Sequence, residues 1–127
     1  MLLLDIGATY LRIFYNNKIK KVSSENLIKK LTLLKNIKTE KYLIAVAGKV
    51  NYKSKIAQIT NLNLKIDFKK FFPEDKLFVI NDALAATIAE KYLGYGKNYE
   101  NFAYITWSSG IGCGAFVNNK LLLGKDG

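Results

Sequence analysis

The sequence predicts an α/β fold, a mixed sheet with helices on its faces, followed by the opening strands of a second unit. Three observations predict it. The chain opens with three short strands joined by tight turns, and strand and helix patterns then alternate as far as residue 93. Two further strands then flank a glycine-rich turn.

Leu2 to Ile6 is a short apolar run ending at Gly7, and Tyr10 to Tyr15 places Arg12 among apolar residues. This pattern predicts two strands and a tight turn. Asn16-Asn17 predicts a second hairpin turn, because Asn tolerates positive φ, with Ile19 to Val22 as the third strand. Ser24, followed by Asn26, Leu27, Ile28, Leu31 and Leu34, predicts a capped amphipathic helix. Tyr42 to Ala47 is continuously apolar, as a strand buried on both faces is, and Gly48 ends it.

Lys49 to Lys55 is polar and basic and predicts a hairpin loop, with Ile56 to Thr60 as the next strand. A short helical segment is expected from Asp67 to Phe72, stopped by Pro73. Leu77 to Ile80 predicts a buried strand, and Asn81-Asp82 starts a helix that reaches about Leu93. Gly94, Gly96 and Asn98 make a loop. Ala103 to Trp107 and Ala115 to Val117 read as strands, and Asn118-Asn119 turns into a last strand, Lys120 to Leu123.

Composition narrows the chemistry. The 127 residues are half hydrophobic, enough for a core. Twenty basic residues against 10 acidic ones give a net charge of +10, and Arg12 is the only arginine. A lysine excess without planar guanidinium forks is the mark of a solvated surface rather than of base reading, so nucleic acid is not an expected partner. With no histidine and a single cysteine, a Ser-His-Asp site, a zinc site within this chain and a disulfide are all excluded. Cys113 is expected to be a small packing residue. Asp5 interrupts the N-terminal apolar run, and no run approaches the ~18–20 residues of a spanning helix, so a soluble cytoplasmic protein without membrane contact is expected.

Three segments carry chemistry. In Asp5-Ile6-Gly7-Ala8-Thr9, a carboxylate at a strand end beside a glycine turn can hold a hydrated metal and bring backbone amides to a phosphate. It can equally be an ordinary hairpin capped by Asp5. In Val79-Ile80-Asn81-Asp82, an apolar strand delivers two polar residues to its carboxyl end, where open α/β sheets bind ligands. Asp82 could accept a hydroxyl proton there, or simply cap the helix. Ser108-Ser109-Gly110-Ile111-Gly112-Cys113-Gly114 can wrap phosphoryl oxygens with backbone N–H groups, or be a glycine-rich hairpin. It is neither a dinucleotide fingerprint nor a Walker A loop.

Taken in order, these segments resemble the sugar kinases of the actin-like ATPase superfamily, above all the repressor/open-reading-frame/kinase (ROK) family and the bacterial glucokinases. The resemblance implies a ribonuclease-H-like sheet and ATP-dependent phosphorylation of a hexose. Asp5, Gly7, Ala8, Thr9 and Arg12 would form the first phosphate motif, with Mg2+ held by Asp5 through water. Ser109, Gly110 and Gly112 would form the second phosphate loop. Asn61 and Asn81 would contact the sugar, and Asp82 would bind it and serve as catalytic base. Ala8 stands where a second glycine is usual, and Ser108-Ser109 where Gly-Thr is common.

The sequence stops at Gly124-Lys125-Asp126-Gly127, before the family's sugar-gripping Glu and His, its zinc motif and its adenosine pocket. Residues 1–102 are therefore expected to be the small N-terminal lobe, and 103–127 the incomplete start of the large lobe. A fragment, a split-gene product or an inactive relic all fit. The expected partners are a hexose and either a complementary large-lobe chain or a second copy. The rival reading is a non-catalytic binding or assembly module, with uncovered edge strands at Ala115–Val117 and Leu121–Leu123.

Overall fold

The computed structural model describes residues 1–108 and 110–124. Its first sheet contains β1 (Leu2–Ile6), β2 (Tyr10–Tyr15), β3 (Lys18–Ser23), β4 (Tyr42–Val46) and β8 (Leu77–Asn81), in the spatial order β3-β2-β1-β4-β8. The first three strands are antiparallel, whereas β4 and β8 run parallel to β1. This is the expected mixed sheet. Asn16 and Asn17 both have positive φ, so their two-residue turn matches the right-handed twist of β2 and β3.

The parallel register places Leu4 beside Ile44 and Ile44 beside Val79, so the buried side chains of three strands form rows on one face. Against these rows pack Leu27 and Leu31 of α1 (Leu27–Leu34) and Val50, Ala57, Ile59 and Ile66 of a second sheet. That sheet has the order β5-β6-β7, formed by β5 (Lys49–Asn51), β6 (Ile56–Ile59) and β7 (Leu64–Asp67). Together they make one core.

Several local expectations change. Ser24 is not the helix cap: its Oγ donates to the Gly7 carbonyl at 2.7 Å, drawn inward by the adjacent turn. Asn26 precedes α1 in a left-handed conformation without a side-chain cap bond. The basic loop at 49–55 is shorter than expected, since β5 occupies its start, and β7 adds a strand where none was expected. Asp67 does cap the helical turn Phe68–Lys70, accepting from the Lys69 N–H at 3.1 Å. β4 alternates between buried and half-buried residues, and Phe78 on β8 is 55% exposed, because the second face of this sheet is only partly covered.

The third sheet has the order β11-β10-β9, from β9 (Phe102–Trp107), β10 (Ile111–Val117) and β11 (Lys120–Leu121). The expected last strand ends at Leu121 rather than Leu123. The helix α2 (Asp82–Leu93) packs mainly on β10 and β9, with lesser contact to β8 and β4. Phe116 is buried there, its ring stacked on Phe102 with centroids 5.5 Å apart, so it is not among the uncovered apolar residues. Cys113 is exposed rather than packed inside. No helix among the described residues is long and apolar enough to cross a membrane.

Candidate functional site

The carboxyl ends of β1, β4 and β8 open into a cleft of about 900 Å³, closed on its far side by β9, β10 and the turn between them. Asp5, Gly7, Ala8, Arg12, Asn61, Asn81, Asp82, Gly110 and Gly112 all line it. Residues up to 107 positions apart in sequence are thus brought to one space (Gly112 minus Asp5). Thr9 is not among the lining residues; its carbonyl accepts the Ser24 N–H at 2.9 Å, which holds the turn after β1. Ser109 lies outside the described residues.

Asp5 is the residue before the last of β1 and sits directly across the antiparallel ladder from Arg12 on β2. Arg12 Nη1 donates to Asp5 Oδ2 at 2.6 Å, and both side chains remain partly exposed to the cleft. Gly7 follows β1, its N–H donating to the Tyr10 carbonyl across the turn. A Cβ on Gly7 would approach that carbonyl oxygen to 3.3 Å.

Asn81 ends β8 and caps α2. Its Oδ1 accepts the Leu84 N–H at 3.1 Å, and its Nδ2 donates to the Gly48 carbonyl at 3.0 Å. The side chain therefore spans two elements, which fixes where the helix starts. One further lone pair and one further N–H are left for a ligand. Asp82 is the first residue of α2, not its cap, and its Oδ1 accepts the Ala83 N–H at 2.9 Å. Asn61 belongs to a single 3₁₀ turn, Thr60–Leu62, at the end of β6. Gly48 joins that hairpin closely: a Cβ there would lie 2.2 Å from the Gln58 carbonyl oxygen, at a φ of +155°.

The glycine-rich segment divides in two. Gly110 is in the turn, with open space where a Cβ would be. Gly112 and Gly114 lie inside β10, where the absent side chains let α2 approach. A Cβ on Gly112 would meet Ala83 Cβ at 3.0 Å, and one on Gly114 would meet Thr87 Oγ1 at 2.1 Å. The loop is thus shorter than the glycine spacing suggested. Half of that pattern serves packing.

The cleft also contains residues not expected from sequence: Ala45, Ala47, Gly48, Lys49, Tyr104 and Thr106. The small side chains on β4 and the exposed Lys49 had no motif to mark them. Among the described residues no group of three or more His, Cys, Asp or Glu side chains could hold a metal.

The ROK family model matches residues 4–127. The chain belongs to the ROK family. Its relatives within the family include both kinases and repressors. A glucokinase of Aeropyrum pernix is 37% identical over 82 residues, 65% of this chain and 24% of that protein. A xylose repressor of Bacillus spizizenii is 38% identical over 88 residues, covering 66% and 23% respectively. Among solved structures, a ROK glucokinase from Streptomyces griseus in complex with glucose and AMPPNP superposes with a TM-score of 0.78 at 23% identity, covering 98% of this chain and 47% of that one. A ROK transcriptional regulator homologous to the Escherichia coli Mlc protein gives 0.81 at 22%, covering 100% and 39%. The ROK kinase fold is therefore established for this chain, which spans about a quarter of the length of these curated relatives and about half that of the solved glucokinase.

Proposed function

We propose that this ROK chain supplies the acceptor and phosphate side of an ATP-dependent hexose kinase of the glucokinase type, acting as the N-terminal part of a two-lobed enzyme. The observation that carries this reading is the meeting of Asp5, Gly7, Asn61, Asn81 and Asp82 in one cleft. Asp82 takes the proton of the acceptor hydroxyl as that oxygen bonds to the transferred phosphorus and the bond to the leaving ADP oxygen breaks. Asn61 and the free valences of Asn81 orient the sugar. The amides after Gly7, the turn at Gly110 and the guanidinium of Arg12 meet phosphoryl oxygens.

The donor set fits Mg2+. Asp5 and Asp82 offer hard carboxylate oxygens, and Arg12 occupies only one oxygen of Asp5. A small cation that keeps most of its waters suits such a sparse set, with Asp5 holding it through water. When bound it neutralises charge on the phosphates. Residues from 103 onward fit the start of a large lobe, and closure of that lobe over the cleft would exclude water.

A second reading is favoured by the repressor and regulator likenesses: the same cleft binds a sugar without transferring phosphate. A coupled assay with glucose, Mg2+ and ATP separates the two, using this chain alone and with the whole remaining C-terminal part of the Aeropyrum pernix glucokinase supplied in trans. The kinase reading expects no turnover alone and turnover with the complement. Glucose binding by calorimetry with no turnover in the completed complex supports the regulator reading. Turnover by the chain alone, removed by Asp82→Ala, would show that the cleft is already complete.

A further inference from the structure

Lys49 lines the cleft and opens β5 with its side chain exposed. The carbonyl of the peptide bond leading into it, that of Gly48, accepts the Asn81 Nδ2 at 3.0 Å. Lys49 is thus one peptide bond from a contact of the side chain that orients the sugar in the proposed kinase. The register of the second sheet sets where its side chain points. Val50, Ala57 and Ile66 are paired across β5, β6 and β7 and are buried in the core. Their neighbours Lys49, Gln58 and Lys65, also directly paired, therefore form a row on the opposite face. That row begins at the cleft with Lys49, and β6 runs directly from Gln58 into the turn that carries Asn61.

Among the described residues no carboxylate forms an ion pair with Lys49 or Lys65. Asp5 is paired with Arg12, and Asp82 accepts the Ala83 N–H. Asp67, on the same face of β7 as Lys65, accepts the Lys69 N–H instead. The other side chains at this end of the cleft, Thr60, Asn61 and Asn81, are neutral. Closing the cleft over a neutral sugar would take an unpaired ammonium out of water, whereas a sugar with its own negative charge offsets that cost.

We propose that the cleft takes a hexose bearing an anionic group, a carboxylate or a phosphate, and that Lys49 binds that group. Lys49 is then a specificity-determining residue, and Lys65 adds attraction from further along the row. The anionic group sits on a carbon other than the one whose hydroxyl meets Asp82, since two negative charges there would repel. The inference rests on reading the cleft as a sugar site, and it holds for transfer and for binding alone.

An NMR titration of the isotope-labelled 127-residue chain tests this, with glucose, glucuronate, glucose-1-phosphate and inorganic phosphate as probes. All three sugars should shift the amides of Asn61 and Asn81. The two anionic sugars should also shift those of Lys49 and Gln58. At low salt they should bind about fivefold tighter than glucose, the upper range for one partly exposed ion pair. Lys49→Gln should abolish that advantage. Lys29→Gln, the same charge change at an exposed position of α1, should keep it. A preference between the two anionic sugars identifies the group as carboxylate or phosphate. Equal affinity for glucose and both anionic sugars would overturn the proposal while leaving the sugar site standing. So would an advantage that survives Lys49→Gln, or inorganic phosphate that binds as tightly as glucose-1-phosphate. If no sugar shifted Asn61 and Asn81, the sugar reading would fall and the proposal with it.

Discussion

Asp5 and Arg12 face each other across β1 and β2, joined Oδ2 to Nη1 at 2.6 Å at the mouth of the cleft. The pair is half open to solvent, so its contribution to folding is small, and its effect is to hold the Asp5 carboxylate in one orientation. Arg12→Gln should therefore change stability by less than about 1 kcal/mol in urea unfolding. A larger loss would mean that the pair holds the sheet rather than the site.

Asp82→Asn should leave the fold and sugar binding intact, because Asn81 rather than Asp82 caps the helix. In the completed kinase, transfer should fall by ~10²–10⁴-fold, the usual cost of losing a general base. Unchanged turnover would remove Asp82 from that role.

Gly114→Ala should destabilise the chain by about 1–3 kcal/mol, because the new methyl must displace Thr87, which is fully buried. Adding Thr87→Ala should recover part of that loss by removing the clashing hydroxyl. Gly110→Ala, with open space around it, should stay within about 0.5 kcal/mol. Chemical denaturation of the four proteins ranks them directly. Equal costs at 110 and 114 would contradict the division of the glycine segment.

Tyr52→Phe should be neutral or stabilising by about 1 kcal/mol, since the Tyr52 hydroxyl is buried without a partner among the described residues. Burial raises the Tyr52 pKa above its ordinary value of 10.0. The folded state thus keeps its proton where the unfolded chain has lost it. The stability this provides is complete below pH ~10 and is lost as pH rises through the folded value. Thermal melts between pH 8 and 11 should show a shallower alkaline decline in Tyr52→Phe than in the parent.

The first sheet was legible because four of its strands are short, mostly apolar runs closed by Asn or Gly, and the lysine-rich β3 follows an Asn-Asn turn. The Asn16-Asn17 and Asn118-Asn119 turns were legible for the same reason, and both adopt the positive φ that Asn tolerates. β7 was hidden because Leu64-Lys65-Ile66-Asp67 is too short to show its alternation beside a helical turn. Ser24 was misread because a serine before an apolar run signals a cap, whereas its true partner, Gly7, is distant in sequence. The motif residues of the cleft could be picked out locally. Lys49, Thr106 and Ala45 could not, because only the crossing of strands brings them together.

Because α2 rests mainly on β10 and β9, with lesser contact to β8 and β4, its packed face depends on residues synthesised some thirty positions later, whereas its start at Asp82 is already held by Asn81. A nascent chain ending before Gly112 has its first sheet but lacks the surface against which Ala83 and Thr87 settle. At ~5–20 residues per second, that leaves the body of the helix uncovered on the ribosome for a second or more, long compared with the microseconds in which a helix forms. Proteolysis of stalled chains should therefore cut within residues 82–93 until β10 has emerged. The start of the helix, and with it Asp82, would be set before the helix body is covered.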